Sequence, residues 1–224
     1  MIDWEPLILT FKLALITTVL LLFLGIPLAY WLAYSKSKIK PVIETLVSMP
    51  LVLPPTVIGF YLLLAFSPSN TFGNWVSEWL GLHLIFSFEG LVIASIFYSL
   101  PFMVQPIQAG LSSLPKQYKE ASYVLGKSKF KTLLKIILPN IKPALLTGTV
   151  LSFAHTIGEF GVVLMIGGNI PGKTKVASIA IYDEVEALNY STANTYSLIL
   201  LIITFSILLI VYLINGGYLK KMNR

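Results

Sequence analysis

The chain has 224 residues, 56% of them hydrophobic and only 12% charged, with a mean hydropathy of +0.81 and a net charge of +6. An ordinary soluble domain carries about 25% charged residues, so this chain has too few to cover a globule, and composition points to an integral membrane protein. Cysteine is absent, which excludes disulfides and thiolate metal sites; the two histidines, His83 and His155, stand far apart in no HExxH-type spacing, which argues against a metalloenzyme.

A spanning helix needs about 20 mostly apolar residues. Five stretches qualify: residues 7–34, 44–66, 89–111, 141–166 and 195–218. The opening MIDWEP lacks the positive region of a cleavable signal, so the first span is expected to be retained. Trp4 at one end of it, and Tyr30, Trp31 and Tyr34 at the other, fit interfacial aromatic belts. Pro50, Pro54, Pro55 and Gly59 crowd the second span, and Pro101 and Pro106 interrupt the third. Each proline frees a carbonyl that lipid cannot satisfy, so these helices are expected to bend and bury against neighbours. Packing kinks and backbone lining a substrate path both fit that pattern. Between the second and third spans, TFGNWVSEWLGL places Trp75 and Trp79 one turn apart, as in a short helix lying on the membrane surface.

Charge sets the orientation. Lys36, Lys38 and Lys40 fall in the first loop, seven lysines in the third, and Lys220, Lys221 and Arg224 at the C-terminus, all on one side; Lys173 and Lys175 lie on the other. Asp3, Glu5, Glu78, Glu89, Asp183, Glu184 and Glu186 share that second side. The positive-inside rule then puts the N-terminus outside and the C-terminus in the cytoplasm. No internal repeat is visible, and one all-α domain is expected over residues 6–215.

The third loop, residues 116–143, reads KQYKEASYVLGKSKFKTLLKIILPNIKP. Two short helices are expected: 116–125, ended by Gly126 as a C′ glycine, and 128–138, capped by Ser128 and stopped by Pro139. Glu120, Ala121, Ser122, Gly126, Ile136, Leu138 and Pro139 together resemble the EAA signature of permease subunits of ATP-binding-cassette importers, with serine at position 122 where alanine is common. The resemblance implies a coupling hairpin at 116–139 that inserts into a groove on a separate ATPase subunit. Ala121 and Ser122 are small enough for close approach, Glu120 can accept hydrogen bonds, and Gly126 permits the turn. A basic loop resting on anionic lipid is the other reading; it requires no particular spacing of Glu, Gly and Pro.

The fourth span carries Glu159 within G158-E-F-G161. An ionisable residue inside a span is costly and by default faces the bundle interior. His155, one turn earlier, is an available partner, and Lys12 is another. A negative charge suits an anion path poorly, so Gly158, Glu159, Phe160 and Gly161 read as a gate or a helix-pairing element; a protonated carboxyl is a further option. Residues 167–174, GGNIPGKT, match the phosphate-loop pattern GxxxxGK[ST]. We reject that reading, because a phosphate loop needs a strand feeding a helix and a separate acid for magnesium, whereas here a spanning run precedes it.

GEFG followed by GGNIPGKT and SIAIY is similar to the molybdate/tungstate permease subunits of these importers. So are SMPLVLPPTVIG (48–59), FEGLVIAS (88–95) and LPFMV (100–104). The matches span residues 6–215. They imply a type I importer permease fold with about five transmembrane helices, in the cytoplasmic membrane. They imply as partners a second copy of the chain, an ATPase dimer on the cytoplasmic side, and an extracytoplasmic oxyanion-binding protein. No catalytic residue, metal or cofactor is expected on this chain, ATP being used by the ATPase. Asn169, Pro171, Gly172, Lys173 and Thr174, with Lys175 and the loop amides, would belong to an outer vestibule or contact the docked receptor. Sulfate permeases share a GEFG-like stretch but are usually longer, with six spans. An ion-coupled secondary transporter should show paired intramembrane acids or matching halves; only Glu159 is present.

Overall fold

The computed structural model describes residues 2–215, and among these every regular element is helical. Helix α1, Glu5–Tyr34, is followed by α2, Lys40–Ser48, which runs into a tight turn at Met49–Leu51; α3 is Pro55–Phe66 and α4 Thr71–Leu80. Helix α5, Phe88–Ser113, leads to the loop pair α6, Lys116–Val124, and α7, Lys129–Thr132. A widened π turn, Leu133–Ile137, joins α7 to α8, Leu138–Asn140. Then come α9, Lys142–Ile157; α10, Gly161–Gly167; α11, Ala177–Glu186; and α12, Tyr190–Asn215.

Helices α1 and α5 lie side by side and parallel. At one end Lys12 sits over the Phe88 ring, and at the other the Tyr34 hydroxyl donates to the Leu111 carbonyl at 3.2 Å. Helix α9 runs against them: Gly110 of α5 meets Ala144 near its start, and Ser99 meets Thr156 near its end at 3.0 Å. A β-carbon on Gly110 would lie 2.5 Å from that of Ala144, so the crossing requires the missing side chain. The bundle thus has a hairpin end, where Tyr34, Leu111 and α6 meet, and a far end, where α1 and α5 begin. Leu21, Leu32, Met103, Ile107 and Ile137 form the core near the hairpin; Leu13, Leu91, Val162 and Ile166 form it at the far end.

Among the described residues three helices are each long and apolar enough to cross a membrane: Glu5–Tyr34, Phe88–Ser113 and Tyr190–Leu213. Two bent pairs raise the number to as many as five. One is the expected second span, which turns through 113° between Lys40–Leu51 and Pro55–Phe66. Pro54 precedes Pro55, and a residue before proline leaves the helical region, so the chain breaks there instead of kinking. The other pair is Lys129–Asn140 with Lys142–Ile157, at 79°. The expected span 141–166 is also interrupted beyond it, at Gly158–Phe160. By contrast α5 continues as one helix through Pro101 and Pro106. Helix α4 forms as expected, with Trp75 and Trp79 exposed. Residues 216–218 of the fifth expected span, and Lys220, Lys221 and Arg224, lie outside the described residues.

Candidate functional site

The hairpin is built from its turn outward. Gly126 has φ +71°, a left-handed conformation that costs an L residue about 1 kcal/mol. Its amide donates to the Tyr123 carbonyl at 2.9 Å and that of Lys127 to Ser122 at 3.1 Å, the paired bonds of a Schellman C-cap. Ser128 then caps the second arm, accepting from the Lys131 amide. Across the turn the hydroxyls of Ser122 and Thr132 lie 2.8 Å apart, both buried. Glu120 and Ala121 point to solvent, Ile136 and Leu138 are half-buried, and Pro139 is exposed.

Pro139 does not stop the second arm, as the sequence had suggested; the helix reaches Asn140. A proline ring collides with the carbonyl four residues back, here Lys135, and the wider π turn at Leu133–Ile137 displaces that carbonyl.

Two features of the hairpin escaped sequence reasoning. Val124, Leu125 and Phe130 stand 87%, 74% and 69% exposed around the turn, an apolar tip ringed by lysines. The signal was the apolar V-L pair immediately before Gly126. Lys119, the one lysine of the loop that is partly buried, sits 4.2 Å above the Tyr34 ring and 5.6 Å from that of Tyr30. That contact ties α6 to the end of α1, across a sequence separation no local pattern encodes.

The second predicted constellation, GEFG, is the break between α9 and α10. Gly161 packs on Pro55 and Gly59 packs on Met165, so α10 lies close against α3. Ser178 of α11 donates to the Glu159 main-chain carbonyl at 2.6 Å, and the Phe160 ring meets Tyr182. The Glu159 side chain is 4% exposed, and neither of its carboxyl oxygens has a hydrogen-bond partner among the described residues. Ser95 lies beside it, and its buried hydroxyl likewise has no hydrogen-bond partner among the described residues. The expected partners are both engaged elsewhere. His155 stacks 4.0 Å from Phe102 and pairs through Nδ1 with the Ser99 hydroxyl at 3.0 Å. Lys12 lies 4.7 Å over Phe88.

The far-end loop bonds largely to itself, with Asn169 Oδ1 buried and without a partner among the described residues. Thr174, fully buried, donates to the Gly167 carbonyl and accepts from the Ile170 amide. Asn169 donates to both oxygens of Asp183, which also pairs with Lys175 at 2.6 Å. The amides of Lys173, Thr174 and Lys175 all reach the Ile170 carbonyl, so none is free for an anion. Pro171, Gly172 and Lys173 stay exposed. The segment before this loop is helix α10, not a strand, and the phosphate-loop pattern is coincidental. No group of three or more metal-ligating side chains occurs among the described residues.

Comparison with known proteins agrees with this architecture. Over 94% of the chain it is 44% identical to the Molybdenum transport system permease protein ModB of Azotobacter vinelandii, covering 93% of that protein. It is 34% identical to the Putative molybdenum transport system permease protein YvgM of Bacillus subtilis (strain 168), over 92% of the chain and 90% of the relative. It is 36% identical to the Probable sulfate transport system permease protein cysT of Zygnema circumcarinatum, over 97% of the chain and 76% of the relative. The fold matches a bacterial ABC transporter that imports the polysaccharide alginate, with TM-score 0.73 at 20% identity, over 96% of this chain and 80% of that one. It matches the MetNI methionine ABC transporter in an inward-facing form, with TM-score 0.68 at 18% identity, over 96% and 93%. Residues 22–224 match the family described as Binding-protein-dependent transport system inner membrane component, and to that family this chain belongs.

Proposed function

We propose that this chain is the permease subunit of an ATP-driven importer for molybdate, in the cytoplasmic membrane with its N-terminus outside. The observation that carries the substrate is the 44% identity with a molybdenum permease across nearly the whole chain, against 36% for the sulfate permease of Zygnema circumcarinatum and 34% for that of Marchantia polymorpha. In this reading the hairpin docks on a separate ATPase subunit. The Val124–Leu125–Phe130 tip supplies apolar area, Glu120 accepts hydrogen bonds, and the surrounding lysines complement an acidic rim. Two copies of the chain form the path, and an extracytoplasmic binding protein delivers the anion at the far end. The chain itself performs no hydrolysis. ATP acts on the partner, and the hairpin must bind that partner differently in its two states for the bundle to move.

Force on the hairpin has two routes into the bundle: through Lys119 to the end of α1, and through α8 into α9, which ends two residues before Glu159. Since α10 packs against α3, a shift at the break reaches the 113° elbow of the second span.

The test is reconstitution in liposomes with the partner ATPase and binding protein, measuring ATP-dependent uptake of molybdate, tungstate and sulfate. Molybdate uptake that an excess of sulfate does not suppress is the expected result. Sulfate uptake at equal or greater rate would move the assignment to the sulfate group. Normal coupling in both Glu120→Ala and Gly126→Pro would show that the hairpin is not the docking element.

A further inference from the structure

Lys12 occupies an unusual place. It lies two turns into α1, about 10 Å along the helix from Glu5. It is exposed on the same stripe as Ile8, Leu15, Val19 and Phe23, all of them open. An ammonium on an exposed stripe of a spanning helix is costly in lipid and reaches toward the nearer headgroups. Here it bends over the Phe88 ring and lines a far-end cavity of about 420 Å³ shared with His83, Ser87, Phe88, Glu89 and Lys173. Neither Lys12 nor Lys173 makes an ion pair among the described residues, where the pairs are Lys40–Glu44 and Lys175–Asp183.

The cavity carries both signs. Glu89 lines it, and the Glu5 carboxylate lies against Gly172 beside Lys173. A tetrahedral dianion on its way through the protein would meet these carboxylates unfavourably. A headgroup with a phosphate and a terminal amine meets both: phosphate oxygens at Lys12 and Lys173, ammonium at Glu89, and acyl chains along the exposed α1 stripe. We infer that this cavity binds one phospholipid of the phosphoethanolamine class from the leaflet opposite the hairpin. The inference depends only on the bundle lying in a membrane, so it stands or falls separately from the substrate and the ATPase docking.

The test uses the full chain purified from membranes and placed in nanodiscs of mixed phosphatidylethanolamine, phosphatidylglycerol and a phosphate-free glucosyl diacylglycerol. Lipid retained after release into detergent is counted by native mass spectrometry. The expected result is one retained phosphatidylethanolamine per chain, reduced about thirtyfold in K12Q/K173Q at roughly 1 kcal/mol per interfacial lysine. Glu89→Gln should shift preference toward phosphatidylglycerol. In parallel, amine-reactive labelling of Lys12 in the unsubstituted chain should be slower in phosphatidylethanolamine than in the glycolipid, a readout that needs no variant to fold. Equal retention by the double variant, equal labelling in both lipids, or protection of Lys12 by molybdate in lipid-free detergent would each overturn the proposal.

Discussion

The hydroxyl of Ser122 bonds to that of Thr132 at 2.8 Å across the turn of the hairpin, and both residues are buried. The position where the signature commonly has alanine therefore holds a brace between the two arms. Replacing one member leaves the other buried and unpaired, at about 1–3 kcal/mol, whereas removing both is nearly neutral. Ser122→Ala alone should raise amide exchange in residues 120–132 roughly tenfold, and Ser122→Ala with Thr132→Val should restore it. Hydrogen exchange by mass spectrometry distinguishes the two outcomes.

Gly126 separates backbone strain from crowding. A β-carbon there would meet nothing within 4 Å, so Gly126→Ala pays only for its φ of +71°, about 1 kcal/mol. Gly126→Pro cannot adopt that φ and loses the bond to Tyr123. The alanine variant should still capture the ATPase subunit in a pull-down, weakened about fivefold at most, and the proline variant should not.

Lys119 predicts a split between docking and transport. The contact with Tyr34 and Tyr30 is worth about 1 kcal/mol at a partly exposed site. Lys119→Met should leave ATPase capture intact while molybdate uptake per ATP hydrolysed falls several-fold. Lys119→Arg, which keeps the cation over the rings, should recover most of it.

Glu159 should tolerate loss of its charge. Its carboxyl is buried without a partner, and an ionised group in such a place is the costly form. Glu159→Gln should unfold in detergent at the same temperature as the parent chain or higher. Glu159→Ala, which empties the site, should unfold lower.

The sequence made the three unbroken spans legible, because runs of twenty apolar residues have few alternatives, and the hairpin, because Gly126 and Ser128 are local punctuation; the broken stretches 44–66 and 141–166 read as continuous spans. The pairing of Glu159 was not legible. His155 shares its helix face in projection, yet Ser99 and Phe102, more than fifty residues away, hold that ring. Pro139 misled for a related reason: a proline reads as a stop unless the turn before it widens, and nothing in LLKII announces a π turn. The Lys119 contact and the Ser122–Thr132 brace depend on helices meeting in space, which periodicity along one helix cannot report.

A single residue, Ile141, joins the hairpin to α9, and Gly158 follows that helix at its other end. The sixteen residues between them form a stiff arm about 24 Å long. With articulation only at its two ends, the arm turns rotation into travel: a swing of about 10° at Ile141 carries the Glu159 corner by about 4 Å. Leverage of this kind would let a small displacement at the hairpin shift the corner between α9 and α10 without unwinding any helix between.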